Sequence, residues 1–216
     1  MEKVIVYIDA HNLYRSHMDY GVSRIDVKRL VHKIIGTDRA LLRAYYYVAL
    51  PDKNIDPIAY ERKSKFVEFI NRQERLEVRA GKLKVETKKV PKELLNEIKE
   101  ACEDKSLSKD ALIKLVNLES SLRRFLIDDA TEIKEKGVDV QIAVDMIKDA
   151  NRKISDIQIL VSGDADFIHL VKHLKESGQV VEVVASRNNV ATELINNADS
   201  HKILRREDFK NLSLKK

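Results

Sequence analysis

"IQILVSGDADFIHLVKHLKESGQVVEVVA", residues 157–185, decides the fold. A short apolar run (157–163) gives way to an amphipathic stretch, "FIHLVKHLKES", that stops at Gly178. A second apolar run, "VVEVVA" (180–185), follows at once. Strand, helix and strand in that order make two parallel neighbours joined by a helical crossover. Neither apolar run alternates between polar and apolar residues, as expected for strands buried on both faces.

The same rhythm extends outward. "KVIVYIDA" (3–10) reads as a buried strand ending in an acid, and "SRIDVKRLVHKII" (23–35) has helical spacing. "ALLRAYYYVAL" (40–50) is an aromatic-rich strand stopped by Pro51, its tyrosines packing residues. "PIAYERKSKFVEFINRQERL" (57–76) is an amphipathic helix. "LEVRAGKLKVETK" (76–88) reads as a strand, a turn at Gly81 and another strand. "DVQIAVDMIKDANRK" (139–153) is a helix with an apolar face. "VATELINNA" (190–198) is a short helix, and "HKIL" a final edge strand. The sum is an α/β chain with a mostly parallel sheet and helices on both faces. Residues 91–128 break the pattern. Leu94, Leu95, Ile98 and Cys102 form one apolar stripe, and Leu112, Leu115, Val116, Leu122 and Phe125 a second, so a helical hairpin is expected there. The expected organisation is one domain over 1–216, with this insertion as a surface for a second copy or a regulatory protein.

Bulk composition narrows the function. A single cysteine rules out an internal disulfide and fits a reducing cytoplasm. No stretch approaches the ~18 apolar residues of a membrane span. Neither "GxGxxG" nor "GxxxxGK" occurs, which argues against a dinucleotide enzyme or an NTPase. Net charge is only +5, but between Lys53 and Lys92 twelve Lys and Arg stand against six Asp and Glu. Such a cluster attracts a phosphate backbone, although it also serves as an ordinary solvated surface.

The acids are placed less ordinarily. Asp9 closes the first strand, Asp164 and Asp166 follow the strand 157–163, and Asp139 opens the helix after "KEKGV". In open α/β sheets, ligands bind outside the carboxyl ends of the strands. Each acid has a local use, since aspartate caps helices and suits their first turn. Gathered together they would repel one another unless a cation lay between them. A hard divalent ion such as Mg²⁺ or Mn²⁺ takes carboxylates and waters.

"YIDAHNL" (7–13), "KGVDVQIAVDMI" (136–147), "LVSGDADFIHLVKHLKESGQVVEVV" (160–184) and "ATELINNAD" (191–199) together resemble the NYN domain family of the PIN-like nuclease superfamily, which includes the LabA-like proteins. The resemblance implies a PIN-like Rossmannoid three-layer sandwich and a metal-dependent ribonuclease with clustered aspartates. Asp9 and Asn12 match D-x-x-N, Asp139 matches K-G-V-D, and Ser162, Asp164 and Asp166 match S-G-D-x-D-F. Asp9, Asp139, Asp164 and Asp166 are then the catalytic, ion-holding acids, with Asn12, Ser162 and Asp145 in support. Arg62, Lys63, Arg79, Lys82 and Lys84 would steer RNA. The alternative is a non-catalytic RNA-binding or regulatory protein that keeps the acidic pocket.

Overall fold

A computed structural model describes residues 1–51, 53–54, 56–87 and 131–214, with the side chains of 82–87 and 131–136 left aside. The chain divides into two compact units, 1–82 with 136–216, and 83–135.

In the first unit six strands run in the order β3-β2-β1-β5-β6-β7. They are β1 (Glu2–Asp9), β2 (Arg39–Leu50), β3 (Leu76–Thr87), β5 (Ile157–Val161), β6 (Val180–Ser186) and β7 (Ser200–Leu204). All five neighbour pairs are parallel. The helices are α1 (Ala10–Met18), α2 (Val27–Ile35), α3 (Pro57–Asn71), α4 (Val138–Asn151), α5 (Ile168–Glu176), α6 (Thr192–Asn197) and α7 (Arg206–Leu212). The second unit is described only at 83–87 and 131–135, the end of β3 and most of β4 (Thr131–Lys136). The hairpin expected at 91–128, with any partner surface on it, lies outside the described residues.

Residues of β1 alternate between two buried layers, which is why its sequence shows no period of two. Val4, Val6 and Ile8 face Leu13 of α1, Leu30, Val31 and Ile34 of α2, and Phe209 of α7. Ile5, Tyr7 and Asp9 face the other way. There α4 lies on the sheet: the Tyr7 hydroxyl donates to Asp149 at 2.8 Å, the Tyr47 hydroxyl donates to Asp145 at 3.0 Å, and Gln158 donates to the Met146 carbonyl at 3.0 Å. The three-layer α/β arrangement is the expected one.

Local signals set several boundaries. Asp9, Asp26 and Asp56 cap α1, α2 and α3 through backbone amides three residues on, and Pro57 opens α3, where its missing N–H costs nothing. Gly137 precedes α4 with φ of 82°, a conformation other residues adopt at a cost.

One expectation needs correction, and three elements stand where none was expected. Gly81 is no turn: it pairs with Ala49, and the ladder between β2 and β3 carries the chain straight through. A neighbouring strand's hydrogen bonds outweigh glycine's weak strand propensity. Helix α1 was not expected, because the residues it buries include Asn12, Ser16 and His17, which hide the apolar period. Strand β4 has one apolar residue, Ile133, and α7 spans only seven positions, so neither shows a pattern.

The two tyrosine–aspartate pairs under α4 make a pH prediction. Burial, the largest effect, raises the Asp149 pKa above 3.8; the Tyr7 hydrogen bond opposes this and the nearby Asp145 adds to it. The folded chain therefore holds this proton more tightly than the unfolded chain does. Above 3.8 the unfolded chain releases it first, so Asp149 erodes stability as pH rises. Asp149→Asn keeps an acceptor for Tyr7 and removes the charge. Its melting temperature should exceed that of the parent at pH 7, with the gap closing below pH 3.8. Equal melting temperatures at both pH values would contradict the assignment.

Candidate functional site

Because the strands are parallel, their carboxyl ends share one edge. From β1 the chain builds toward β2 and β3 on one side, while β5, β6 and β7 lie on the other. The order therefore reverses between β1 and β5, the place where open α/β sheets leave a crevice for ligands. Asp9 ends β1 there, and Ser162 follows β5.

These residues form a hydrogen-bonded frame. Asp9, only 4% exposed, accepts from the Asn12 amide at 3.1 Å through Oδ1 and from the Ser162 hydroxyl at 2.9 Å through Oδ2. Ser162 Oγ in turn accepts from the Asp164 amide at 3.2 Å. Asn12 Oδ1 accepts from the Gly163 amide at 3.0 Å, tying α1 to the end of β5. Asp164 Oδ1 accepts from the Asp166 amide at 3.0 Å and so caps the single 3-10 turn Ala165–Phe167. The capping role read from the sequence is real, and the backbone amide of the same residue shares the Ser162 hydroxyl with the Asp9 carboxylate.

Gly163 admits no side chain. A Cβ there would lie 1.6 Å from the Asn189 carbonyl oxygen. The Gly163 carbonyl accepts from the Ala191 amide at 2.9 Å, so the loop after β6 is clamped onto this corner. Sequence reasoning named Ser162 and Asp164 but passed over the glycine between them; its place inside S-G-D was the available signal.

The structure thus brings Asp9, Asn12, Ser162, Asp164 and Asp166 together. Asp9 and Ser162 are buried, Asp164 is half-buried and Asp166 is exposed. Asp139 comes from a separate element, the first turn of α4, and is exposed. Asp145 is held on the sheet by Tyr47, the register partner of Asp9, and lies 3.9 Å from Arg79 Nε. Burial, then the Asp145 carboxylate, push the Tyr47 phenol pKa up, so it stays a hydrogen-bond donor.

The expected basic residues divide. Arg62 is exposed on α3. Lys63 donates to the Ala49 carbonyl at 2.7 Å, near the carboxyl end of β2. Arg79, in register with Tyr47, pairs with Glu77 at 2.9 Å and lies over the Tyr45 ring at 5.0 Å. The side chains of Lys82 and Lys84 fall outside the described residues.

Among the described residues, no group of three or more His, Cys, Asp or Glu stands close enough to hold a metal ion. The donor chemistry of the corner nevertheless fits a hard cation. Asp9 and Asp164 offer carboxylate oxygens without thiol or imidazole, and Mg²⁺ is commonly held by one or two carboxylates with several waters. The Ser162 hydroxyl and the Asn12 backbone amide hold the two oxygens of the buried Asp9 carboxylate in a fixed orientation. Among the described residues, no helix is long and apolar enough to cross a membrane.

Comparison with known proteins bears on the family and the fold. The model of the NYN domain matches residues 3–204. A crystal structure of a protein of unknown function from Vibrio parahaemolyticus superposes with a TM-score of 0.53 at 18% identity, covering 94% of this chain and 93% of that one, and so shares the fold. No curated protein matches the chain.

Proposed function

This chain belongs to the NYN domain family, whose members are generally nucleases of the PIN-like fold, and from that premise we propose that it is a divalent-metal-dependent ribonuclease centred on Asp9 and Asp164. The observation that carries the proposal is the Ser162 hydroxyl bonded both to the Asp9 carboxylate and to the Asp164 amide at the reversal point of the sheet. Asp9 and Asp164 would hold Mg²⁺ or Mn²⁺, with Asp139 and Asp166 contributing from the flanks. The ion would supply a water of lowered pKa and a counter-charge for phosphate.

The protein's own residues do the positioning. Ser162 and the Asn12 amide fix both oxygens of Asp9, so the carboxylate does not reorganise when an ion or phosphate arrives. Asn12 and the loop near Asn189 immobilise Gly163, and with it the start of the Asp164 segment. The frame is rigid because it joins β1, α1, β5 and the loop after β6. Arg79 and Lys63, on the β2 and β3 side of the same edge, would attract the RNA backbone, and so would the exposed Arg62. Hydrolysis would break the P–O3′ bond, the water's hydroxyl ending on the 5′-phosphate and a proton on the 3′-oxygen.

The second reading, a non-catalytic RNA-binding or regulatory protein, is favoured by one observation: no three acids close on a point among the described residues. One assay separates the two. Labelled single-stranded RNA should be cut in the presence of Mn²⁺ or Mg²⁺, with EDTA stopping the reaction and Asp164→Asn lowering it by at least ~100-fold while the fold stays cooperative. RNA binding without cleavage would favour the second reading. An unchanged rate in purified Asp164→Asn would end the assignment of that residue.

A further inference from the structure

A small, partly open space lies behind the Asp9 frame, on the face of the sheet covered by α1. Asn12, Leu13, Ser16, Ser162, Ser186 and Phe209 are among the residues around it, and its volume is about 10 Å³. That is room for about one water. One wall is hydroxyl-rich. Ser186, the last residue of β6, is 2% exposed, and its Oγ has no hydrogen-bond partner among the described residues. The other hydroxyls are committed as donors: Ser16 donates to the Asn12 carbonyl at 2.8 Å and Ser162 to Asp9 at 2.9 Å. Their oxygens retain acceptor capacity.

A buried hydroxyl left without a partner loses the hydrogen bonds it made to water in the unfolded chain. A dry cavity is the rule where the lining is wholly apolar, and a cavity with several convergent polar groups holds water. We propose that this space is a binding site for one ordered water. It accepts from Ser186 and donates to the Ser16 oxygen, and so ties β6 to α1 directly behind Asn12 and Ser162. Its role is to brace the frame that orients Asp9. The proposal stands whether or not the chain cleaves RNA.

The sign of one substitution tests it. If the cavity were dry, Ser186→Ala would remove a buried orphan and leave the melting temperature unchanged or raised. With the water present, the same change removes one of the water's few partners, and the melting temperature should fall by about 2–4 °C. A crystal structure resolving ordered solvent should show density within hydrogen-bond distance of Ser186 Oγ; an empty cavity overturns the proposal whatever the melting temperature does. Bracing has its own readout in the Gly163 amide, which Asn12 holds. Its hydrogen exchange should speed up by about three- to tenfold in Ser186→Ala. An unchanged exchange rate overturns the bracing role.

Discussion

Asp9→Asn should abolish metal-dependent RNA cleavage and leave the fold nearly intact. Asparagine caps helices as well as aspartate does, so its oxygen can still accept from the Asn12 amide. Its amide group would face the Ser162 hydroxyl, which can rotate to accept. The expected melting shift is therefore within about 2–4 °C, the worth of roughly one hydrogen bond in a chain of this size. Activity should fall much further. Taking a carboxylate from a divalent-ion site removes several kcal/mol of charge stabilisation, and each ~1.4 kcal/mol is tenfold in rate. A loss of about 10³-fold, measured as initial rate at saturating Mn²⁺, is the expectation. A rate within a few-fold of the parent would show that the buried acid is structural only.

Gly163→Ala should have the largest effect on the folded structure. Its Cβ would sit 1.6 Å from the Asn189 carbonyl oxygen, 2.7 Å from the Asn189 carbonyl carbon and 2.9 Å from Val190 Cα. All three are backbone atoms, so no side chain can swing aside. Either the loop after β6 lifts, breaking the bond from the Ala191 amide, or the end of β5 shifts and the Asn12 contact is lost. Overpacking of this kind costs about 3 kcal/mol or more, several degrees of melting temperature by calorimetry. The same movement displaces Ser162 and Asp164, so activity should fall with stability. A variant melting with the parent would mean that the loop is not clamped as described.

Most of the framework was legible because it rests on burial. β1, β5 and β6 are solid apolar runs, and α2 and α5 carry strong periodic faces with a clear stop at Gly36 or Gly178. Elements that bury polar residues were hidden. α1 disguises its inner face with Asn12, Ser16 and His17, while Ala10 and Leu13 on the same helix pack into the core. Gly81 misled for the opposite reason: its local preference for a turn yields to the β2 ladder, which only the folded chain possesses.

The acids were legible as residues and not as an arrangement. Asp9, Asp164 and Asp166 could be placed at strand ends from their runs alone. The link through the Ser162 hydroxyl depends on side-chain rotamers and on β1 and β5 being adjacent, which the 147 positions between Asp9 and Ile157 do not reveal. Asp145, six residues after Asp139, reads from the sequence as a supporting residue; its partner, the Tyr47 hydroxyl, is visible only in the folded chain.

The central claim is that Asp9 and Asp164 share a divalent ion. The most direct measurement is anomalous scattering from crystals soaked in Mn²⁺. The expected result is a peak about 2.2 Å from carboxylate oxygens of both residues, completed by waters. Crystals that show Mn²⁺ elsewhere on the chain and none at this corner would contradict it.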